Sequence, residues 1–302
     1  MTTLSPTPDL ATSAPASRFG VFLRRLKSAC QTYAKDPASL AALSFLLLVA
    51  IVAIFAPYVA PYDPHEMIGW RNSLPGEDGL FLGADGDGRD VLSRLIWGGR
   101  VSLLTGVVPT LLSMVVSLLI GVTAAYIGGW LDQIVMRILD MFFAFPIVLM
   151  ATVVAGILNP GLFTICIAIF IALLPYITRL VRTTTLQVKR QPYIEAARAG
   201  GASNWAIASR YVFPNVVAPS IVYTTTLMGL MVVLGSALSF LGLGVQPPEA
   251  DWGTMVSEGR SVLRKAPHVT IFPGLAIVMT ALAFGFIGDG LRDALDPRAR
   301  RR

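Results

Sequence analysis

The sequence predicts an all-α integral membrane protein with six transmembrane helices and both chain ends on the cytoplasmic side. Three observations carry that prediction. Of 302 residues, 54% are hydrophobic and only 14% charged, whereas charged residues make up about a quarter of an ordinary soluble domain. Six charge-free stretches, at about 40–60, 101–127, 141–158, 162–178, 217–242 and 269–288, each lie near the ~20 residues that a helix needs to cross the hydrocarbon core. With the N-terminus placed inside, the inward segments hold 17 of the 24 Lys and Arg and the outward loops hold 7. Positive charge collects on the cytoplasmic side of membrane proteins, so this asymmetry fixes the orientation.

The elements follow in order. Residues 1–38 form a cytoplasmic tail. Its first 17 positions are rich in Pro, Ser, Thr and Ala with one charge, Asp9, a composition that stays disordered; the basic stretch that follows holds Arg18, Arg24, Arg25, Lys27 and Lys35. The first apolar stretch begins far from the N-terminus and is too long for a cleavable signal, so a retained signal-anchor is expected. The transmembrane unit is assigned to 39–298, and residues 299–302 make a basic C-terminal tail.

The outer loop 61–100 is full of turn residues and ends in Gly83-Ala84-Asp85-Gly86-Asp87-Gly88-Arg89-Asp90. Glycines interleaved with carboxylates invite a calcium reading, but the closing Glu of an EF-hand is missing. An interfacial helix over 90–98 is expected instead, with Asp90 at its positive end and Trp97 at headgroup level. The uncharged run 141–178 is divided at Asn159-Pro160-Gly161, because 38 residues of helix would overshoot a ~30 Å core. A second outer loop, 243–268, carries a short helix near 253–263 that lies flat or folds back. Pro109, Pro146, Pro175 and Pro273 fall inside spans, where each tends to kink its helix. His65 and His268 both fall on the outer side and are read as solvated or interfacial. Cys30 in the tail and Cys166 inside a span cannot pair, and neither has a neighbour that would make a metal site.

Several functions are excluded by what the spans lack. No span holds an ionisable residue away from its ends, which argues against proton antiport, since charge buried in lipid must serve something. Sodium coupling through carbonyls and hydroxyls stays open. No Gly-Lys dipeptide occurs, so no Walker A loop cradles a nucleotide; the paired-histidine zinc motif and the Gly-x-Ser-x-Gly turn are absent too. No catalytic residue, cofactor or metal site is therefore expected, and driven transport would take its energy from another polypeptide. The net charge of +6 follows from the inside bias and from anionic lipid, without nucleic acid.

The most informative segment is 179–217. The fourth span is expected to run on as helix through about Lys189, with Arg179, Arg182, Lys189 and Arg190 reaching water. Pro192 suits the first turn of a new helix. Ala196, Ala197 and Ala199 give it almost no side-chain bulk, and Gly200-Gly201 stop it. Ser203 caps a second helix over 204–212, which Pro214 ends. The result is a helix–turn–helix along the membrane surface. Physically it is either a surface elbow joining two spans or a stub that enters a partner's groove.

The run Glu195-Ala196-Ala197, with Gly201 four residues on and Phe213-Pro214 beyond, resembles the EAA motif of ABC-importer permeases: Glu-Ala-Ala, three free positions, Gly, nine free positions, Ile, one free position, Leu-Pro. Here Tyr211 stands for the Ile and Phe213 for the Leu, with the spacing kept. Leu82-Gly83-Ala84-Asp85 with Gly88-Arg89-Asp90-Val91-Leu92-Ser93-Arg94, the stretch from Asp132 to Pro146, Ser239-Phe240-Leu241-Gly242-Leu243-Gly244 with Pro247-Pro248 and Trp252-Gly253, and the C-terminal Gly288-Asp289-Gly290-Leu291-Arg292-Asp293 are similar to the dipeptide/oligopeptide/nickel permease family. The match spans roughly 38–298. A short tail and one early span followed by that outer loop look like its C-type (DppC/OppC-like) subunit.

The resemblance implies a pathway shared with a homologous B-type (DppB/OppB-like) permease, two cytoplasmic ATP-binding subunits, and an extracytoplasmic binding protein that delivers di- or oligopeptide. It assigns Glu195, Ala196, Ala197, Gly201, Tyr211, Phe213 and Pro214 to contact with the ATPases, whose closure would rock the bundles and alternate access. The same machinery carrying nickel chelates or another small solute is an alternative. Few imidazole or thioether ligands in the outer half favour peptide. A self-sufficient secondary carrier is a further alternative, which the uncharged spans and the EAA-like segment oppose. Thr105, Ser113, Thr224, Thr225, Thr226 and Ser236 are candidates for lining the pathway, although a hydroxyl in a helix commonly bonds its own backbone.

Overall fold

The computed structural model describes residues 33–34 and 36–295. The expected disordered tail, Cys30 and the basic C-terminal tail lie outside the described residues or mostly so. Among those described, the only β pairing is two isolated bridges, and five helices are long and apolar enough to cross a membrane, or six counting one bent pair.

Asp36 opens the first helix, α1 (Pro37–Ile54), by accepting the amides of Ala38 and Ser39. Phe55 breaks it and a short turn, α2 (Ala56–Val59), follows. The loop over residues 60–90 then leads to α3 (Val91–Ile127), 37 residues long and hence about 55 Å. The expected interfacial helix at 90–98 is not separate: it is the first part of α3. Asp90 caps it through the amide of Ser93 at 2.8 Å. Gly98 and Gly99 do not interrupt it, because they serve as a seat for the Trp252 ring, whose atoms would lie 3.2 Å from a Cβ at either glycine.

The third span also departs from the expected 141–158. Helices α4 (Gly129–Phe143) and α5 (Ile147–Ile157) meet at 87°. Pro146 has no amide hydrogen and its ring collides with the carbonyl four residues back, so the chain leaves the helix at Ala144 and Phe145. Eleven residues of α5 rise about 16 Å, half a hydrocarbon core. The expected turn at Asn159-Pro160-Gly161 is present and leads into α6 (Leu162–Lys189), which runs on past residue 178 as predicted.

Beyond it come α7 (Pro192–Ala199), α8 (Asn204–Ile207), a π turn over Ala208–Val212, and α9 (Phe213–Phe240). Pro214 does not end a surface helix. It sits in the first turn of α9, and helix is continuous from Asn204 to Phe240. The wider π turn immediately before it gives room for a ring that a tight α turn would exclude. The second long loop holds α10 (Trp252–Gly259), close to the expected position, and α11 (His268–Leu295) closes the described chain.

One face of α6 forms the centre of the bundle. Ile165, Ile169, Leu173, Ile177 and Val181 are fully buried there against Met231 and Leu238 of α9, Ala151 and Ala155 of α5 and Leu118 of α3. Small residues permit this approach and that of the neighbouring helices: a Cβ on Gly121 of α3 would lie 2.7 Å from Val181 of α6, and one on Gly229 of α9 would lie 2.5 Å from the Ala281 carbonyl of α11. Ser113 and Ser117 donate to the carbonyls of Phe170 and Leu174, so α3 and α6 run parallel.

Ser39 at the start of α1 donates to Phe286 O near the end of α11 at 2.9 Å. Leu180 of α6 borders a crevice with Gly288, Arg292 and Leu295 of α11, so both ends of the described chain share one face with the end of α6. The two long loops share the opposite face. They are joined by Arg94, fully buried, which pairs with Asp85 and with Glu258 at 2.7 Å, and by Ser102, which donates to Asp251 at 2.7 Å. The carboxylates that looked like calcium ligands thus serve arginines: Asp85 faces Arg94, and Asp87 faces Arg89 at 2.5 Å. His268 is not solvated as expected. It is buried under this loop, 3.4 Å from Ala84 O, because Gly83, at φ +78°, brings the backbone against it. His65 is exposed beside Asp63.

Candidate functional site

The stub at 190–203 is written in local chain grammar. A turn at Arg190 and Gln191 ends α6, and Pro192 supplies the first-turn residue of α7, where a missing amide does no harm. Gly201 ends the helix in the left-handed region at φ +81°. Its amide bonds Arg198 O at 3.0 Å while the amide of Ala202 bonds Ala197 O at 3.1 Å, the paired closure of a Schellman motif. Ser203 then accepts the amide of Ala206 at 3.3 Å and starts α8.

The eight residues of α7 have two opposed sides. Ile194 is fully buried, and with Ile207 and Val212, also fully buried, it anchors the stub in the main core. Glu195, Ala196 and Gly201 are exposed and Ala197 is half-buried. A carboxylate and small side chains therefore face outward on a helix whose other side is locked to the bundle. Tyr211 joins this unit through a ring contact with Tyr193, 6.5 Å between centroids, and packs on the core. Phe213 and Pro214 do not join it. They open α9 on its exposed side, and Phe213 borders a crevice with Leu118, Leu119, Val122 and Trp205.

Of the four basic residues expected to reach water, Arg190 is exposed and the Arg179 side chain is 40% exposed, while Arg182 and Lys189 are half-buried; Arg179, Arg182 and Lys189 each also take a partner in the bundle. Arg182 grips Asp132 of α4 with two parallel bonds, Nε and Nη2 each at 2.7 Å from a carboxylate oxygen. Arg179 pairs with Asp140 and lies 3.8 Å from the centre of the Phe143 ring. Lys189 donates to the carbonyls of Ala125 and Tyr126, at 3.0 and 2.8 Å, at the C-terminal end of α3. That end carries unpaired carbonyls and partial negative charge, so an ammonium stabilises it.

The hydroxyl candidates divide. Thr105, Thr225 and Thr226 donate to carbonyls of their own helices, and Ser113 to Phe170 O across to α6. Thr224 and Ser236 are buried, and their hydroxyls meet no partner among the described residues.

Comparison with known proteins is consistent with this architecture. Residues 117–301 match the family described as binding-protein-dependent transport system inner membrane component, and residues 22–75 match the N-terminal TM domain of oligopeptide transport permease C. The glutathione transport system permease protein GsiD of Pectobacterium atrosepticum is 41% identical over 269 residues, 89% of each chain. The protein of that name from an Escherichia coli strain is 41% identical over 257 residues, 85% of each chain. A multi-pass helical bundle whose residues 117–301 match one such model and whose residues 22–75 match another is a binding-protein-dependent inner-membrane component: the protein belongs to that family, as the permease subunit of an ABC importer of the peptide/oligopeptide group.

Proposed function

We propose that this permease carries short peptides, and that the stub around Glu195 is where ATP-driven motion enters it. Membership of an ABC importer implies a second permease, ATP-binding subunits and a substrate-binding protein. We assign the second permease a homologous fold and a shared pathway. Two cytoplasmic ATPases hold the stub, and an extracytoplasmic protein delivers cargo to the long-loop face. Both chain ends and the stub then face the cytosol, in line with the Lys and Arg asymmetry and with the shared face of α1, α6 and α11 ends. Hydrolysis belongs to the ATPases.

One observation carries the coupling role. The side of α7 bearing Glu195 and Ala196 is exposed and nearly free of bulk, while Ile194 on the other side is fully buried in the core cluster of α6 and α9. A groove can close on the first side, and a push there moves the helices that hold the second. The peptide assignment is supported by relatives named for glutathione transport, glutathione being a tripeptide.

The test uses the complete importer, purified and reconstituted with its binding protein. Glu195→Ala and Gly201→Asp are expected to leave the permease in the membrane, weaken ATPase co-purification and cut ATP-driven uptake of labelled glutathione or tripeptide at least tenfold. Intact co-purification and uptake in both variants overturns the coupling role. Uptake of nickel chelate without any peptide uptake overturns the cargo. A single cysteine at position 196 that reacts with an impermeant reagent only from the outside of intact cells overturns the orientation.

A further inference from the structure

The stub does not act on α6 and α9 alone. The structure ties its root to two further helices through charged contacts at the C-terminal end of α6. Arg182 holds Asp132 of α4 in a two-bond fork, in which the Asp132 side chain is only 14% exposed. Two turns further along the same helix, immediately before the stub, Lys189 holds the last carbonyls of α3. Arg179 adds a second contact to α4 at Asp140. Helix α4 is otherwise lightly held: of its fifteen residues only Leu139 is buried, and its outward side carries Trp130, Ile134, Ile138 and Met141. Beyond Phe143 it bends by 87° into α5, which packs on α6 through Ala151 and Ala155.

We propose that Asp132 and Arg182 are positioning residues for energy coupling: their fork makes α4 travel with the stub, so that motion received at α7 reaches the bent α4–α5 arm as well as the straight helices. The geometry requires a fork. Guanidinium and carboxylate joined by two parallel bonds resist rotation as well as separation, whereas a single contact acts as a pivot. Lys189 completes the junction by holding the end of α3 against the same turn of α6. With both contacts in place, α3, α4 and α6 form one lever with the stub at its tip. Without the fork, α4 keeps Arg179–Asp140, which is 40–47% exposed, and the ring contacts of Phe143 with Arg179 and Tyr176 at its far end, so the Asp132 end of the arm is free to lag.

This inference rests on the coupling role of the stub, and the experiment separates the two. The complete reconstituted importer is assayed for uptake and ATP hydrolysis together. Asp132→Asn and Arg182→Gln are each expected to leave ATPase co-purification intact, keep hydrolysis within twofold of wild type, and lower peptide taken up per ATP at least fivefold. Asp132→Glu, which keeps the carboxylate, is expected to recover at least half of that ratio, as is the charge exchange Asp132→Arg with Arg182→Asp. Wild-type uptake per ATP in both single variants overturns the inference. Equal loss in the single variants and in Asp132→Glu and the exchange also overturns it, because the residues would then serve packing alone. If Glu195→Ala leaves uptake intact, the coupling role of the stub has failed, whatever position 132 shows.

Discussion

Arg94 is one of the largest fully buried side chains in the described structure, and one of its nitrogens, Nη1, meets both Asp85 and Glu258. Replacing it with Met keeps length and apolar volume but removes the nearer of the two charges between the acids, Arg89 Nη1 staying 3.9 Å from Asp85 and 4.0 Å from Glu258. At 2.7 Å from Glu258 the gross attraction is about 6 kcal/mol at an effective dielectric of about 20. Much of that offsets the desolvation of the groups, and removing one partner of a buried pair leaves a net loss of about 3–5 kcal/mol. Glu258 is 26% exposed and can rehydrate, whereas Asp85 is 4% exposed and cannot; this places Arg94→Met near the lower end, about 3–4 kcal/mol. For a chain of this size each kcal/mol shifts the midpoint by about 2–4 °C, so a drop of about 6–16 °C is expected.

The assay is heating of the detergent-purified importer followed by the soluble fraction of this chain, with amide exchange over residues 61–90 as a local readout. That loop should lose protection first, because Asp85 organises it by accepting the amides of Asp87 and Arg89 at 2.8 and 2.9 Å. Arg94→Lys should recover about half of the loss, since only one guanidinium nitrogen is engaged and an ammonium can replace it. A midpoint within 2 °C of wild type for Arg94→Met, with unchanged exchange over 61–90, would refute the reasoning.

Three further outcomes follow from the glycines. Gly229→Val places carbon about where the Ala281 carbonyl lies and should lower the midpoint by several degrees through overpacking of about 1–3 kcal/mol; Gly285→Ala, with nothing within 4 Å of the added carbon, should leave it unchanged or raise it, alanine being favoured in a helix by about 1 kcal/mol. Gly201→Ala should strain the left-handed end of α7 by about 1–2 kcal/mol, and weaker ATPase co-purification than in Gly201→Asn, whose side chain tolerates that conformation, is the result that checks it.

Much of the stub was legible because its signals are local. Pro192, Gly201 and Ser203 each act on the backbone within a few residues, and Glu195 with its alanines reads as an exposed small face from the motif itself. The same locality misled at Pro214 and at Gly98 and Gly99. Each is a helix breaker in isolation, yet the π turn absorbs Pro214 and Trp252 uses the glycines as a seat. At Pro146 the opposite happened. The apolar run around it reads as one span, and only the bend shows that its first three residues, 141–143, end α4, whose acids are drawn to arginines of α6. His268 has no sequence signal for burial, because the Gly83 loop that covers it lies far back in the chain.

The sequence alone determined that this chain is a bundle of apolar helices and which stretches of chain form them, though not where each begins or that the third is bent. Backbone amides and carbonyls in lipid find partners only within their own helix, so hydropathy and length dictate the spans. Tertiary structure decided which helices break, which charges are hidden and what the stub is fastened to. Those outcomes depend on pairs such as Asp132 with Arg182 and Arg94 with Glu258, 50 and 164 residues apart. No periodicity in the chain encodes such a pair; it exists only once packing has excluded water and brought the two charges into reach.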